Sequence, residues 1–215
     1  MSYLYEVSTL GHFLRRIALD YMRYGYTRWA LRHLPTDKDP QAIDRKLVEA
    51  YGVTQCRTKR MRQKQKGLAV VQYVRFDHTF VLLATKGNHP AFERIQSYDA
   101  TLVPLYIGAY SIKVIHQGVS VRVRQEVWQY VEARLHRRAL YPTAIVERAV
   151  NSLPYYRFPG VVAQLRELVT AINNRRRVAG LPRVTFTPPG RPFWETAPKR
   201  QAEQGSGKSR TACGR

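Results

Sequence analysis

The fold is decided by residues 68–85, which read LAVVQYVRFDHTFVLLAT. β-branched and aromatic residues are frequent in this stretch, and they favour extended structure. Asp77 and His78 interrupt the apolar run, so the sequence predicts two strands, 68–76 and 79–85, joined by a tight turn. One long bent strand is the alternative interpretation.

The flanking segments supply the other elements of a mixed fold. Upstream, 26–34 reads as a strand and 39–51 as a helix. Downstream, 89–97 reads as a short helix, and strand-like runs at 101–107 and 110–115 together make the strand region 101–115. A turn at Gln117-Gly118 then leads into a final hairpin strand, 119–123. The resulting order, βαββαβ, predicts an α+β chain with a ferredoxin-like sheet.

Four regions are predicted along the chain. Apolar residues recur at helical spacing before Gly25, and they form similar stripes after residue 123. Beyond about residue 187, proline, glycine, serine and basic residues dominate, which predicts a flexible tail in which Phe193-Trp194 is the part that docks. The regions are an N-terminal helix (1–25), a ferredoxin-like core (26–123), a helical extension packed on the core (124–185) and a flexible basic tail (186–215).

The charge of the chain indicates a polyanionic partner. The 215 residues include 36 Lys and Arg against 15 Asp and Glu, which gives a formal net charge of +21. Arginine supplies 27 of these cations, and its planar guanidinium suits phosphates and stacks on bases. Nucleic acid is therefore the expected partner, with RNA favoured over DNA. Protein subunits of the same complex are further expected partners, and a membrane is not.

Composition also excludes several classes of protein. With 44% hydrophobic residues the chain can bury a core, and it has no apolar run near the roughly 20 residues that span a bilayer. Cys56 and Cys213 are too few for a disulfide framework and lack the spacing of a zinc site, so a cytoplasmic location is expected. No cofactor is expected, because no complete phosphate-binding loop occurs.

The most concentrated positive charge lies in segment 55–66, which holds six cations and no acidic residue. This segment is predicted to be a loop that binds phosphates, and a continuous helix over 39–65 is the alternative. The predicted phosphate ligands are Arg57, Lys59, Arg60, Arg62, Lys64 and Lys66.

Two more basic clusters lie at the ends of predicted helices. Cations there complement the helix dipole, but that role accounts for only one or two of them. The remaining guanidinium and amide groups suit phosphates and base edges. The clusters comprise Arg134, Arg137, Arg138, Asn174, Arg175, Arg176 and Arg177.

An aromatic residue and a cation also share one face of a central strand. Residues of one parity lie on the same side of a sheet, so Tyr73 and Arg75 are predicted to face solvent together. Tyr73 would then stack on a base. The alternative is that helices cover both faces of the sheet and these side chains belong to the core.

A second hypothesis is a metal-dependent nuclease or strand-transfer enzyme. Asp77 and His78 lie at the junction of the central strands, while His89 and Glu93 are four residues apart and would share a helix face. Together these side chains would hold one divalent metal, with His78, His89 and Glu93 as the catalytic residues. Local capping of a helix by His89 is the simpler interpretation, and it predicts no metal site.

Replication initiators and single-strand transposases offer a comparison for this hypothesis. They place a His-hydrophobic-His metal motif on a central strand of a ferredoxin-like sheet, and a tyrosine on a later helix attacks the phosphodiester. Residues 77–80 hold one histidine where that motif has two, so no family is assigned. An inactive relative that only binds nucleic acid agrees with this departure.

The sequence therefore predicts a non-catalytic protein that binds structured RNA or single-stranded DNA. A subunit of a ribonucleoprotein, or of a mobile-element or defence complex, would suit its size and charge. A basic scaffold for an acidic protein or a membrane is the third hypothesis. It lacks support because no helix combines a broad apolar face with a lysine-rich one.

Overall fold

The apolar stretch 68–85 folds into the predicted hairpin. In the computed structural model, which describes residues 5–116 and 118–187, its strands are β2 (Val71–Phe76) and β3 (Thr79–Ala84). At the turn, Asp77 takes a left-handed backbone conformation with a φ of 52°, which aspartate tolerates better than most residues. Most of the predicted tail lies outside the described residues, as do Phe193-Trp194 and Cys213.

The hairpin belongs to a four-stranded antiparallel sheet. Strand β1 (Arg28–His33) pairs with β3 along its whole length, and the short strand β4 (Tyr98–Asp99) pairs with the other side of β1. The strand order is β2-β3-β1-β4. Strand β2 is therefore at one edge, where Glu6 adds a single parallel bridge to Arg75.

Three helices are inserted between these strands. Helix α2 (Pro40–Ala50) begins as its Asp39-Pro40 start predicts, because the Asp39 carboxylate accepts hydrogen bonds from two amide groups of the first turn. Helix α3 (Arg57–Gln65) follows after a break at Gly52. Helix α4 (Pro90–Glu93) is a single turn, much shorter than the predicted 89–97.

The N-terminal helix changes its geometry along its length. Helix α1 (Leu10–Arg15) continues into a π-helical turn (Arg16–Tyr21) and then a 3-10 turn (Met22–Tyr24). Gly25 ends it with a φ of 88°, a conformation that a glycine adopts without strain. The sequence predicts the extent and the end of this segment, but not its internal change of pitch.

A second, three-stranded sheet follows. Strands β5 (Leu105–Ile107), β6 (Tyr110–Ile115) and β7 (Gly118–Val123) form an antiparallel meander. The turn that precedes it is fixed by Asp99, whose carboxylate accepts hydrogen bonds from the amide and the hydroxyl of Thr101. This turn ends β4 after two residues and leads the chain away from the first sheet.

The remaining helices are α5 (Gln125–Arg137), α6 (Thr143–Asn151) and α7 (Pro159–Val178). Helix α7 covers the free edge of β7, where the Gln164 side chain bonds both the amide and the carbonyl of Val123, at 2.8 and 3.2 Å. No described helix has the length and apolar character needed to cross a membrane.

Both faces of the four-stranded sheet are buried. One face shares a large core with the N-terminal helix, the second sheet and α5 to α7, so that Phe13, Val74, Ile112 and Leu168 belong to one cluster. The other face packs in a smaller core with α2 and α4, which includes Tyr73, Leu82 and other residues of β2 and β3. The helical extension and the strands therefore share a core.

The ferredoxin-like arrangement is not confirmed. The predicted fourth strand, 101–115, is absent from the first sheet, because the Asp99 turn directs it into the second. An additional helix, α3, stands between β1 and β2, and α4 is only one turn long. The structure supports the coarser description of a mixed α+β protein with antiparallel sheets.

Candidate nucleic-acid interface

The basic segment forms an exposed helix. None of the nine residues of α3 is buried, so the prediction of a loop is wrong, and the alternative of one helix over 39–65 is also wrong because the chain breaks at Gly52. Lysine, arginine, glutamine and methionine are good helix formers, which explains a helix without an apolar face. It ends before Gly67, whose φ of 73° suits a residue that follows a helix.

The five cations of α3 and Lys66 at its C-cap, which we call the α3 cations, lack acidic partners within the described part of the chain. No described carboxylate lies within 4.0 Å of their nitrogen atoms. They instead form four like-charge pairs at helical spacing of three or four residues, and such pairs destabilise a helix by a few tenths of a kcal/mol each. The pairs are Arg57 with Arg60, Lys59 with Arg62, Arg60 with Lys64, and Arg62 with Lys66.

The C-terminal end of α3 is fixed to the first sheet. The amide of Asn88 donates to the carbonyl of Gly67 at 3.3 Å, and the Lys64 ammonium lies 5.0 Å from the centre of the buried Tyr26 ring. Gly87 permits this close approach, because a Cβ atom there would lie 2.3 Å from the Gly67 carbonyl oxygen. These contacts fix the position of the C-terminal end of α3, and of the cations on it, relative to the first sheet.

Tyr73 and Arg75 do not face solvent, so the prediction of an open stacking face on β2 is wrong. Both side chains are buried, with 0% and 3% of their surface exposed. The Tyr73 hydroxyl and the Arg75 guanidinium both donate to the buried carboxylate of Asp44 on α2. Strand alternation placed the two side chains on one face correctly, but α2 covers that face.

The buried network also reaches the N-terminal segment. The Arg75 guanidinium contacts Glu6 at 3.2 Å and donates to the carbonyl of Asp77 at 2.7 Å. Burial alone lowers the pKa of Arg75, but the hydrogen bond and charge of Asp44, together with Glu6, raise that pKa above its ordinary value. Arg75 is therefore a charged structural residue that joins α2, the hairpin and the segment before α1.

The two predicted arginine clusters meet at the C-terminal ends of α5 and α7. The Arg175 guanidinium donates to the carbonyl of His136 at 2.9 Å, so the two helix ends adjoin. Four exposed arginines lie on these ends, and we call them the α5/α7 basic patch: Arg137, Arg138, Arg175 and Arg177. Arg134 is half-buried beside the patch.

Arg176 has a structural position instead of a surface one, so its predicted contact with nucleic acid is wrong. It is 1% exposed and donates to the carbonyls of Ala139, Tyr141 and Pro182, each at 2.7 Å, and to the Thr143 hydroxyl at 2.8 Å. These bonds join the end of α7 to the turn between α5 and α6. Of these three consecutive arginines, Arg176 is therefore structural, whereas Arg175 and Arg177 are exposed.

A cleft of about 340 Å³ lies next to the patch, at the end of α7. Its polar lining includes Asn174, Arg177 and Arg183. Asn173 is engaged elsewhere, since its side chain bonds the backbone of Val184 in both directions. The sequence analysis did not identify Arg183 as part of this site. The signal that could have found it is Gly180, which ends α7 and lets the chain that follows turn back beside the last turn of that helix.

A matched pair of variants separates the two roles of neighbouring arginines. We expect Arg176→Met to lower the free energy of unfolding by about 3 kcal/mol, because it leaves the buried carbonyl of Ala139 and three partly buried acceptors without their donor. Arg177→Met should change that free energy by less than about 0.5 kcal/mol, since Arg177 is exposed. Urea titration of both variants checks this expectation, and equal stabilities would contradict it.

The residues of the predicted metal site lie apart. Asp77 and His78 precede β3, whereas His89 and Glu93 follow it, and a strand of six residues is about 20 Å long. The His89 ring accepts a hydrogen bond from the amide of Phe92, which is the local capping role. Among the described residues no three His, Cys, Asp or Glu side chains are grouped to hold a metal ion. The four residues therefore do not form one site.

Comparison with protein-family models and with curated proteins finds no match for this chain. The candidate interface therefore rests on the geometry of α3 and of the α5/α7 basic patch.

Proposed function

We propose that this protein binds nucleic acid without catalysing a reaction on it, and that structured RNA or single-stranded DNA is its ligand. The observation that carries the proposal is the set of six α3 cations, of which five are exposed and Arg60 is half-buried, and which no described carboxylate neutralises. A polyanion would relieve the repulsion between these cations. Phosphate binding would also release counterions, which is the main source of affinity for such proteins.

The α5/α7 basic patch supports a second point of contact. Its arginines are exposed, and the adjoining cleft adds the amide of Asn174 and the guanidinium of Arg183. Exposed tyrosines accompany the patch: Tyr141 is 51% exposed and follows Arg138 in the same turn. Aromatic rings beside cations suit unpaired bases, which is why single strands and RNA loops are proposed over duplex DNA.

The fold proposal is a ferredoxin-like unit that has been altered at its fourth strand. The order of β1, α2, β2, β3, α4 and β4 along the chain supports it, with α3 regarded as an insertion. The biological proposal is a cytoplasmic subunit of a ribonucleoprotein, or of a mobile-element or defence complex. Sequencing of the nucleic acid that copurifies with the protein tests that context, and recovery of no defined species would oppose it.

Binding to labelled strands across a salt series tests the function. Three ligands of the same sequence are compared: single-stranded RNA, single-stranded DNA and duplex DNA. Neutralisation of six phosphates on a single strand gives a slope of about −4 for log affinity against log salt concentration. Contacts of the α5/α7 basic patch add to this value, so the proposal expects a slope of at least this magnitude and tighter binding to single strands than to the duplex. Absent binding, or affinity independent of salt, would overturn it.

A further inference from the structure

The outward face of the second sheet has the features of another binding surface. The register of β5, β6 and β7 places Tyr106, Ser111 and Arg122 in one row across the three strands. Lys113 and Ser120 form the next row. The residues of opposite parity, among them Leu105 and Ile112, are buried in the large core. This alternation identifies a sheet with one covered and one open face.

The open face is basic and carries a partly exposed aromatic ring. None of its outward positions is acidic, whereas Lys113 and Arg122 add two cations. The Tyr106 side chain is 42% exposed, and the Arg124 guanidinium lies 4.7 Å from the centre of its ring. Arg124 also contacts Glu126 at 3.5 Å, which helps to fix the guanidinium in place.

The position of α7 determines how this sheet can bind. Gln164 of α7 occupies the backbone groups of Val123 on the edge of β7, so a further strand cannot pair there. Gly160 brings the start of α7 against the same edge, where a Cβ atom would lie 2.6 Å from the Val121 carbonyl oxygen, 2.9 Å from Arg122 Cγ and 3.2 Å from Ser120 Oγ, so α7 also borders the β7 side of the open face. Because the β7 edge is covered, we consider the open face as the binding surface.

We propose that this face stacks a base of single-stranded nucleic acid on Tyr106, while Lys113 and Arg122 contact the adjacent phosphates. The inference rests on the proposed function and adds a stacking site to it. The ring held under a guanidinium is preorganised, so little side-chain entropy is lost on binding. A duplex keeps its bases stacked inside, and it therefore gains nothing from this ring.

Binding of Tyr106→Ala and Tyr106→Phe to an intact single strand, and to a strand of the same length with abasic sites, tests the inference. Both RNA and DNA versions of the intact strand are used. Loss of one stacked base is expected to weaken binding of Tyr106→Ala to the intact strand by at least about 5-fold. The salt slope should not change, because the variant removes no charge. The phenylalanine variant should stay within about 2-fold of wild type, and the abasic strand should not distinguish the three proteins.

A second variant tests the cations of the same face. Lys113→Gln combined with Arg122→Gln should reduce the magnitude of the salt slope by about 1.4, since two phosphate contacts are lost. Wild-type affinity of Tyr106→Ala for the intact strand, or equal losses on intact and abasic strands, would overturn the stacking site. An unchanged slope in the double variant would overturn the phosphate contacts. Failure of the proposed function differs from both, because wild-type protein would then show no salt-dependent binding at all.

Discussion

Replacement of the six α3 cations by glutamine is expected to weaken the binding of a single strand by about four orders of magnitude at 0.1 M salt. Each phosphate neutralised on a single strand contributes about 0.7 decades of affinity at this salt concentration. Five of the side chains lie on a helix without buried residues and Lys66 follows at its C-cap, so we expect each of them to reach a phosphate. Glutamine is also a good helix former, and the substitutions remove the like-charge pairs, so the variant should keep its helix.

A variant with the same loss of charge elsewhere provides the control. It replaces six exposed cations outside the candidate interface by glutamine: Lys38, Arg45, Lys46, Arg94, Arg148 and Arg166. Both variants lower the net charge equally, so a general attraction to polyanions would weaken binding by similar amounts. We expect the control substitutions to lower the logarithm of the affinity by less than a tenth of the decrease that the α3 substitutions cause. Equal affinities of the two variants would show that net charge, and not α3, determines binding.

Asp44→Ala is expected to lower the free energy of unfolding by about 3–5 kcal/mol. Asp44 is fully buried and accepts hydrogen bonds from Tyr73 and Arg75, which are also buried. Among the described residues, removal of the carboxylate leaves the Arg75 guanidinium with Glu6 as its remaining acidic partner, and Glu6 is exposed at the surface. Removal of one member of a buried ion pair has a cost of this size because the other charge stays desolvated.

Two further variants make this stability measurement specific. Asp39→Ala removes the carboxylate that caps α2, the helix that carries Asp44, and it should lower the free energy of unfolding by only about 1 kcal/mol. Asp44→Leu combined with Arg75→Met removes both charges, and it should be less destabilising than Asp44→Ala alone. Chemical denaturation measures all three variants. If Asp44→Ala costs no more than the loss of the cap, the buried network does not stabilise the fold.

Local signals in the sequence predicted the hairpin and its flanking elements. The Asp77-His78 interruption, the Asp39-Pro40 start of α2 and the glycine that ends the N-terminal helix each act over a few residues, and the structure confirms them. The three strands of the second sheet were predicted, but their separation from the first sheet was not. This separation depends on the Asp99 side chain, which reverses the chain after only two residues of β4.

Burial that depends on distant segments could not be predicted. Strand alternation placed Tyr73 and Arg75 on one face, but only the packing of α2, some 30 residues earlier, shows that this face is covered. Similarly, a run of three arginines does not reveal that Arg176 turns into the protein between its exposed neighbours. Helix packing also brings the ends of α5 and α7 together, although they are separated by 39 residues at the observed contact.

The most direct test of phosphate binding by α3 is the salt dependence of binding for wild-type protein and for the six-fold glutamine variant on one single strand. The slope of log affinity against log salt concentration counts the phosphates neutralised, and it does not depend on stacking. We predict that the variant's slope is smaller in magnitude than that of wild type by about 4. Equal slopes for the two proteins would contradict the assignment of α3 as the main phosphate-binding element.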